Sequence, residues 1–396
     1  MSAALGTAAA APAARGDFRR ARWATRLQFA ALGLLGGIWG AHIPSVKATH
    51  GLSEFSLSMV LLAGACGSIS ALFFAGRVVG ALGARRTVVV AGWLMSAMFA
   101  LILLLPGLWA VLPAAFLFGC GMSVFDVSIN SEGSELESLS GPIMSNLHGM
   151  FSVGAMSGAA LSSAMLHAGI APAAQLGGAA LILAAVMLFA SFGMLDTHAA
   201  DAAHADADKE KAHFAWPRGL LLVIGLLIFT GMIAEGVMMD WCVLYLKQDL
   251  GMAQSHAALG YSAFAGSMAL SRFAGDSLRA RYSERSILFA GAAVAAVAMA
   301  VVLLVGVPWV AMVGFGLVGA GLAPVAPILF NAATRVPGVS RAAAIASVTS
   351  IGYSGFMIGP PLIGSIAQAT SLTVALGAVV LGAVCLAIGS RKVPTA

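Results

Sequence analysis

Three carboxylates stand where almost nothing else in the chain is polar. Asp126 lies inside GCGMSVFDVSIN with Asn130 four residues on, and Glu235 and Asp240 are the only charges between Gly219 and Leu246. An ionised carboxylate at the centre of a bilayer costs roughly 2.5–3.5 kcal/mol on insertion scales, and acids kept there are functional by default. If such a group faces an aqueous cavity, the chemistry open to it is to take a proton on one side and release it on the other. Asp126 and Glu235 are the candidates for that proton coupling. Asn130 falls about 6 Å along the helix from Asp126 on the same face, as a solute ligand or as a staple between helices. Glu235 and Asp240 sit about 140° apart round a helix and cannot serve one site as a pair. Glu235 either faces a cavity or locks its helix to a neighbour, while Asp240, beside Trp241, reads as an anchor at the membrane interface.

Other chemistries find no support. Cys66, Cys120, Cys242 and Cys385 lie in apolar runs without metal-ligand spacing and read as small buried hydrophobes. There is no Gly-x-Ser-x-Gly turn, no phosphate-cradling loop and no cluster of metal ligands, so neither an enzyme, a cofactor nor a metal is expected. Trp39, Tyr245 and Tyr353 offer rings that could stack on a sugar, and Asn331 offers an amide for hydroxyls. Each of these also suits packing or interface anchoring.

The elements that position these residues follow from composition. Of 396 residues, 60% are hydrophobic and 9% charged, against about 25% charged in soluble domains, so the solvent is largely lipid. The 47 glycines suit close helix packing. With about 20 apolar residues per crossing, spans are predicted over 27–46, 55–77, 87–105, 110–134, 143–166, 173–195, 218–246, 256–277, 285–306, 308–332, 341–367 and 371–390. The chain divides into a basic N-terminal tail (1–26), a six-helix bundle (27–195), a linker (196–217), a second bundle (218–390) and a short tail (391–396). Alternating the spans puts every Lys and Arg on the side of the termini except Lys47 and Lys247, which makes that side cytoplasmic. The net charge of +5 is thus a topology signal spread along the chain, and no nucleic-acid partner is expected. The His-containing linker reads as a solvated connector. Glu132, Glu135 and Glu137 read as a solvated inner loop, and Arg272 is expected to pair with Asp276. Pro324, Pro327, Pro360 and Pro361 suit broken helices beside a cavity.

The two halves echo each other. GRVVGALGARR (76–86) and SRFAGDSLRAR (271–281) come after the second and eighth spans, and share Arg77/Arg272, Gly80/Gly275 and Arg86/Arg281. Gly119 and Gly121 match Gly319 and Gly321, and SVG (152–154) matches SIG (350–352). Offsets near half the chain mark an internal repeat.

Twelve spans, a central linker and these turns resemble the major facilitator superfamily, an all-α fold of two pseudo-symmetric six-helix halves. The resemblance implies gating turns at Gly76, Gly83, Arg85 and Arg86, with Gly80 where the family has Asp, and at Arg272 and Asp276 in the second copy. GMSVFDVSIN together with NLHGMFSVGA is similar to the fucose-permease-like branch. EGVMMDWCVLYL, GYSAFAGSMALSRFAGD and GYSGFMIGPPLIG are similar to a bacterial subgroup of that branch related to rhizopine-associated membrane proteins. The resemblance implies that Asp126 is the titrating acid and that His148, with Asn146 nearby, contacts the solute. His148 is expected beside Asn130. The branch's first-span acid is missing from GGIWGAHIPSVK, where His42 either substitutes or caps the outer helix end. The resemblance thus implies a monomeric, proton-coupled transporter of a sugar, polyol or related amine in the bacterial inner membrane, both termini cytoplasmic. The alternatives are a proton-antiport efflux protein, against which the absence of a Gly-Pro-x-x-Gly-Gly run counts, and a non-transporting sensor of the same fold.

Overall fold

The computed structural model describes residues 12–141, 143–195 and 218–394, with the side chains of 12–17, 276 and 342 left aside. The tail before residue 12, the linker 196–217 and the last two residues therefore lie outside the described residues. So does the side chain of Asp276.

Among the described residues every ordered element is helical. The first half runs α1 (Pro12–Thr49), α2 (Glu54–Leu82), α3 (Ala84–Leu101), α4 (Gly107–Ser140), α5 (Met144–His167) and α6 (Pro172–Ser191). The second runs α7 (Gly219–Gln248), α8 (Gln254–Arg279), α9 (Glu284–Val305), α10 (Pro308–Leu322), α11 (Val325–Ala333), α12 (Arg341–Ala369), α13 (Leu372–Ala375) and α14 (Gly377–Gly389). The tenth span is α10 and α11, broken next to Pro324, which has no amide hydrogen to continue the ladder. The twelfth is α13 and α14. α12 continues through Pro360 and Pro361. Ten of the spans are long and apolar enough to cross a membrane on those criteria alone. The remaining two, α8 and α12, are long but diluted by Ser, Gly and charge.

Turn chemistry sets the ends. Ser53, Ser283 and Ser340 cap α2, α9 and α12 by accepting from backbone amides three residues on. Gly83 joins α2 to α3 at φ +79°, a conformation that favours glycine.

The two bundles use one packing plan. In the first, α1 packs on α5 and α6, α4 on α2 and α3, and α3 on α6. In the second, α7 packs on α12 and α14, α10 on α8 and α9, and α9 on α14. Side-chain size explains the closest seams. A Cβ on Gly119 would strike the Gly64 carbonyl, and one on Gly319 would strike the Phe264 carbonyl; Gly121 abuts the Ala91 carbonyl and Gly321 that of Gly291. Each contact in one half thus recurs 200 residues later in the other, at the glycines the repeat aligned. Likewise Gly33 and Gly37 of α1 interlock with Gly154 and Gly158 of α5, backbone against backbone. Between helices in lipid there is little hydrophobic drive, so such approach supplies the dispersion contacts. Outward sides carry Phe73, Leu104, Trp109, Leu181, Phe189 and Leu304, all strongly exposed, as a lipid-facing surface requires.

The described chain ends lie on one face: Arg20 and Ala24 in the early turns of α1 meet Gly193 just past α6, and Arg285 at the start of α9 donates to the carbonyl of Val393.

Candidate functional site

The bundles meet along α5/α8, α2/α12 and α1 against α7 and α8. At the face away from the termini this seam is sealed by polar clasps. Lys47 Nζ holds Glu54 (2.7 Å) and donates to Gln248 of the second bundle (3.2 Å), whose amide returns to Glu54 (3.2 Å). Gln254 of α8 donates to the Ala41 carbonyl (3.0 Å) and to Ser45 Oγ (2.7 Å) on α1, while its own oxygen accepts from Lys247 (2.8 Å). Beneath them the Tyr261 ring presses on Gly40, and Gly364 of α12 abuts Ser58 of α2.

α4 packs on α1, α2, α3 and α5 of its own bundle. Half-buried Asp126, midway along α4, nevertheless lies within electrostatic reach of Tyr353 on α12. Tyr353 is 36% exposed. Asn130 Nδ2 donates to Asp126 Oδ1 (3.0 Å) and to the Asp126 carbonyl (2.8 Å), so the i, i+4 pair forms as spacing predicts. Among the described residues that pair gives the carboxylate a neutral partner and no cation.

A second polar group spans the bundles. Arg272 of α8 donates to Ser152 Oγ on α5 (2.9 Å) and approaches Glu235 on α7 (3.4 Å). His148, one turn before Ser152, is within electrostatic reach of Arg272 and meets Phe29 edge-on at 5.4 Å. Glu235 thus meets the neighbouring helix through Arg272. The expected partner of Arg272, Asp276, has its side chain outside the described residues; the guanidinium itself turns into the bundle, toward Ser152 and Glu235.

Other expectations are corrected by packing. Asn146 accepts from Arg26 Nε (2.7 Å), which ties α5 to α1. His148 makes no hydrogen bond with Asn130 among the described residues. Asn331 donates to Glu284 (2.9 Å), itself paired with Arg335 (2.8 Å), at the terminal end of the second bundle. Tyr245 is fully buried beside Phe315, and Trp39 packs on Phe99 and Phe118. Trp241 is fully buried, which removes the interface-anchor reading for it and Asp240. His42 neither replaces a cavity acid nor caps a helix: it is buried between Ser45 (3.1 Å) and Gln175 of α6 (2.9 Å). Nor are the three glutamates a loop, since α4 runs on to Ser140. Glu132 is buried and accepts from the Leu195 amide (2.7 Å), while Glu137 accepts from Ile143 and Met144 at the start of α5 (2.9 Å each). Among the turn residues, Arg85 lies over the Phe192 ring of α6 (5.2 Å), Arg86 is exposed, and Gly76 and Gly80 have open space. All four cysteines are free; Cys242 is buried, whereas Cys385 is exposed.

Sequence reasoning passed over Ser152, Ser45, Gln248 and Gln254. Ser152 was visible within the repeated S-x-G step. The others sit at span ends, where polar residues are ordinary.

Two six-helix bundles, sealed at one end and enclosing acids and an arginine, define a polytopic membrane protein built to pass a solute between its halves. The Major Facilitator Superfamily sequence profile matches residues 24–360, and the chain belongs to that family: it is a multi-pass membrane transporter with the twelve-helix fold. It is 34% identical over 372 residues to an uncharacterized MFS-type transporter of Yersinia pestis, covering 93% of this chain and 94% of that one. It is 29% identical over 368 residues to the membrane protein MosC of Rhizobium meliloti, covering 93% and 88%. The crystal structure of the E. coli fucose:proton symporter FucP shares its fold, with a TM-score of 0.60 at 15% identity, over 93% of this chain and 97% of that one.

Proposed function

We propose that this transporter couples a small polar solute, a sugar, polyol or related amine, to protons by alternating access in a bacterial inner membrane, with both termini cytoplasmic. One observation carries the reading: Asp126 is a mid-helix carboxylate whose side-chain partner among the described residues is the Asn130 amide, and it lies within electrostatic reach of Tyr353 on the other bundle. A carboxylate so placed has no fixed positive charge beside it among the described residues, which leaves a proton as the charge it can exchange. Its protonation state then differs according to which end of the seam is open to water. The sealed clasp at Lys47, Glu54, Gln248 and Gln254 fits the conformation open toward the termini. Bundle rocking about the α5/α8 seam would break that clasp and expose the acid to the opposite side. Arg272, which touches both bundles, is suited to sense a solute near Glu235, Ser152 and His148. The fold shared with a symporter whose name states fucose and proton is in keeping with sugar and proton as cargo.

The test is uptake by proteoliposomes under an imposed pH gradient, over sugars, polyols, amines and amphipathic drugs. Asp126→Asn should still exchange solute across the membrane but lose gradient-driven accumulation. Full accumulation by that variant removes Asp126 from coupling.

A further inference from the structure

Arginines from two helices converge on the end of α6, at the face that holds the described chain ends. α6 packs against both α1 and α3. The Arg20 stem of α1 lies beside Gly193, and the Arg85 guanidinium of α3 lies 5.2 Å over the ring of Phe192. Phe192 and Gly193 are consecutive, so their Cα atoms are about 3.8 Å apart. Arg19 and Arg86 adjoin them in the chain, and both are exposed. None of the four arginines makes a hydrogen bond or an ion pair among the described residues. By contrast, Arg22 and Arg26 further along α1 donate to Ser140 and Asn146. α3 has no acid in its first turn. Glu132 of α4, which accepts from the nearby Leu195 amide, is buried. The matching corner of the second bundle, where α9 begins beside the end of α14, is built differently. There the basic residues Arg285, Arg391 and Lys392 have Glu284 in the first turn of α9, paired with Arg335 at 2.8 Å, and Arg285 donates to the Val393 carbonyl.

Like charges gathered at one corner repel unless an anion joins them, and the planar fork of an arginine matches a phosphate. The surface one turn deeper is apolar and open. Trp23 of α1 and Phe189 of α6 are 60% and 75% exposed, and Phe192 is 53% exposed. We propose that this corner binds the phosphate headgroup of an anionic phospholipid. Arginines of α1 and α3 hold the phosphate from either side of the α6 end, and the acyl chains lie against Trp23, Phe189 and Phe192. Basic pockets between helices at a membrane face recognise such headgroups. Neither the solute nor the coupling ion bears on this. The rival anion is the linker after α6, which carries Asp196, Asp201, Asp206, Asp208 and Glu210 and lies outside the described residues. A phospholipid answers both the charge and the apolar surface beneath it; the linker answers only the charge.

The experiment is native mass spectrometry of the full chain in neutral detergent, titrated with phosphatidylglycerol, cardiolipin or phosphatidylcholine, with and without inorganic phosphate. The wild type is expected to bind at least one of the two anionic lipids about tenfold or more tightly than phosphatidylcholine. Inorganic phosphate at the same concentration should not displace it. Arg19→Gln with Arg86→Gln removes two charges that bond to nothing in the protein. It should weaken the anionic lipid by about fivefold per charge while phosphatidylcholine binding and the thermal midpoint in neutral detergent stay unchanged, which excludes misfolding. Arg391→Gln with Lys392→Gln, at the matching corner, should change anionic-lipid binding by less than about twofold. Four outcomes overturn the proposal. The wild type shows no preference for an anionic lipid; both double variants lose it equally, which makes it an effect of overall surface charge; inorganic phosphate displaces the lipid, which assigns the corner to the free anion; or the preference emerges only after the five linker acids are changed to Asn and Gln, which assigns the corner to the linker.

Discussion

At the scale of single residues, the partner of each buried charge decides its role. Glu235 and Arg272 meet at 3.4 Å, with side chains 20% and 25% exposed, so they form a partly hydrated pair that joins α7 to α8. Removing one member leaves the other facing a low-dielectric interior. Fully buried pairs lose about 3–5 kcal/mol on such truncation. Partial exposure reduces this, and Glu235→Gln should lower stability by about 1–3 kcal/mol, read as a drop in thermal midpoint. Adding Arg272→Gln should restore most of it, because both charges are then gone. A double variant as unstable as the sum of its parts would show that the pair does not interact. The acids themselves were legible from sequence, because charge inside a long apolar run has few explanations. Their partners were not. Arg272 lies 37 positions from Glu235 and 120 from Ser152, and local spacing instead favoured Asp276.

At the scale of elements, glycine positions hold the bundles together. Gly154 faces the carbonyl of Ala30, and Gly119 and Gly319 face those of Gly64 and Phe264, whereas Gly177 on α6 has open space around its Cα. A valine cannot fit against a backbone carbonyl without moving the helix. Gly154→Val, Gly119→Val and Gly319→Val should each cost about 1–3 kcal/mol by overpacking, visible as lower thermal midpoints in detergent. Gly177→Ala should be neutral or slightly stabilising. Equal effects at all four positions would mean that the close approaches do not matter. The twelve spans were readable because hydropathy acts locally, one crossing at a time. Helix ends were less so: α4 extends past the predicted 134 to Ser140 because Glu132 and Leu136 are buried in protein, which no hydropathy window registers.

At the scale of the whole molecule, function depends on which end of the seam is closed. The clasp away from the termini and the contact of Ser58 with Gly364 hold one end. A Ser45→Cys, Gln254→Cys pair, at side chains that touch across the seam and with the four native cysteines replaced, should be bridged by a short bifunctional methanethiosulfonate, stop uptake and recover on reduction. Uptake that continues after complete cross-linking would mean that this seam does not open during transport. Breaking the clasp by Gln254→Leu, which removes the bonds to Ala41 and Ser45, should shift the resting population toward opening at that end. Thiol labelling of a single Ser58→Cys, buried against Gly364 in the closed seam, reads that shift as faster modification.

Residue types and short-range periods were enough to establish the lipid solvent, the number of crossings, the internal repeat and the identity of the acids. None of these needs knowledge of neighbours distant in the chain. Only the assembled bundles show that Arg272 serves Glu235 and Ser152, that His42, Asn146, Tyr245 and Asn331 are packing or clasp residues, and that Asp240 stands without a hydrogen-bond or ion-pair partner among the described residues. Those outcomes depend on which helices meet and at what rotation. In a bundle of similar apolar helices that is fixed by the few places where glycines let backbones touch, and such places come from distant parts of the chain.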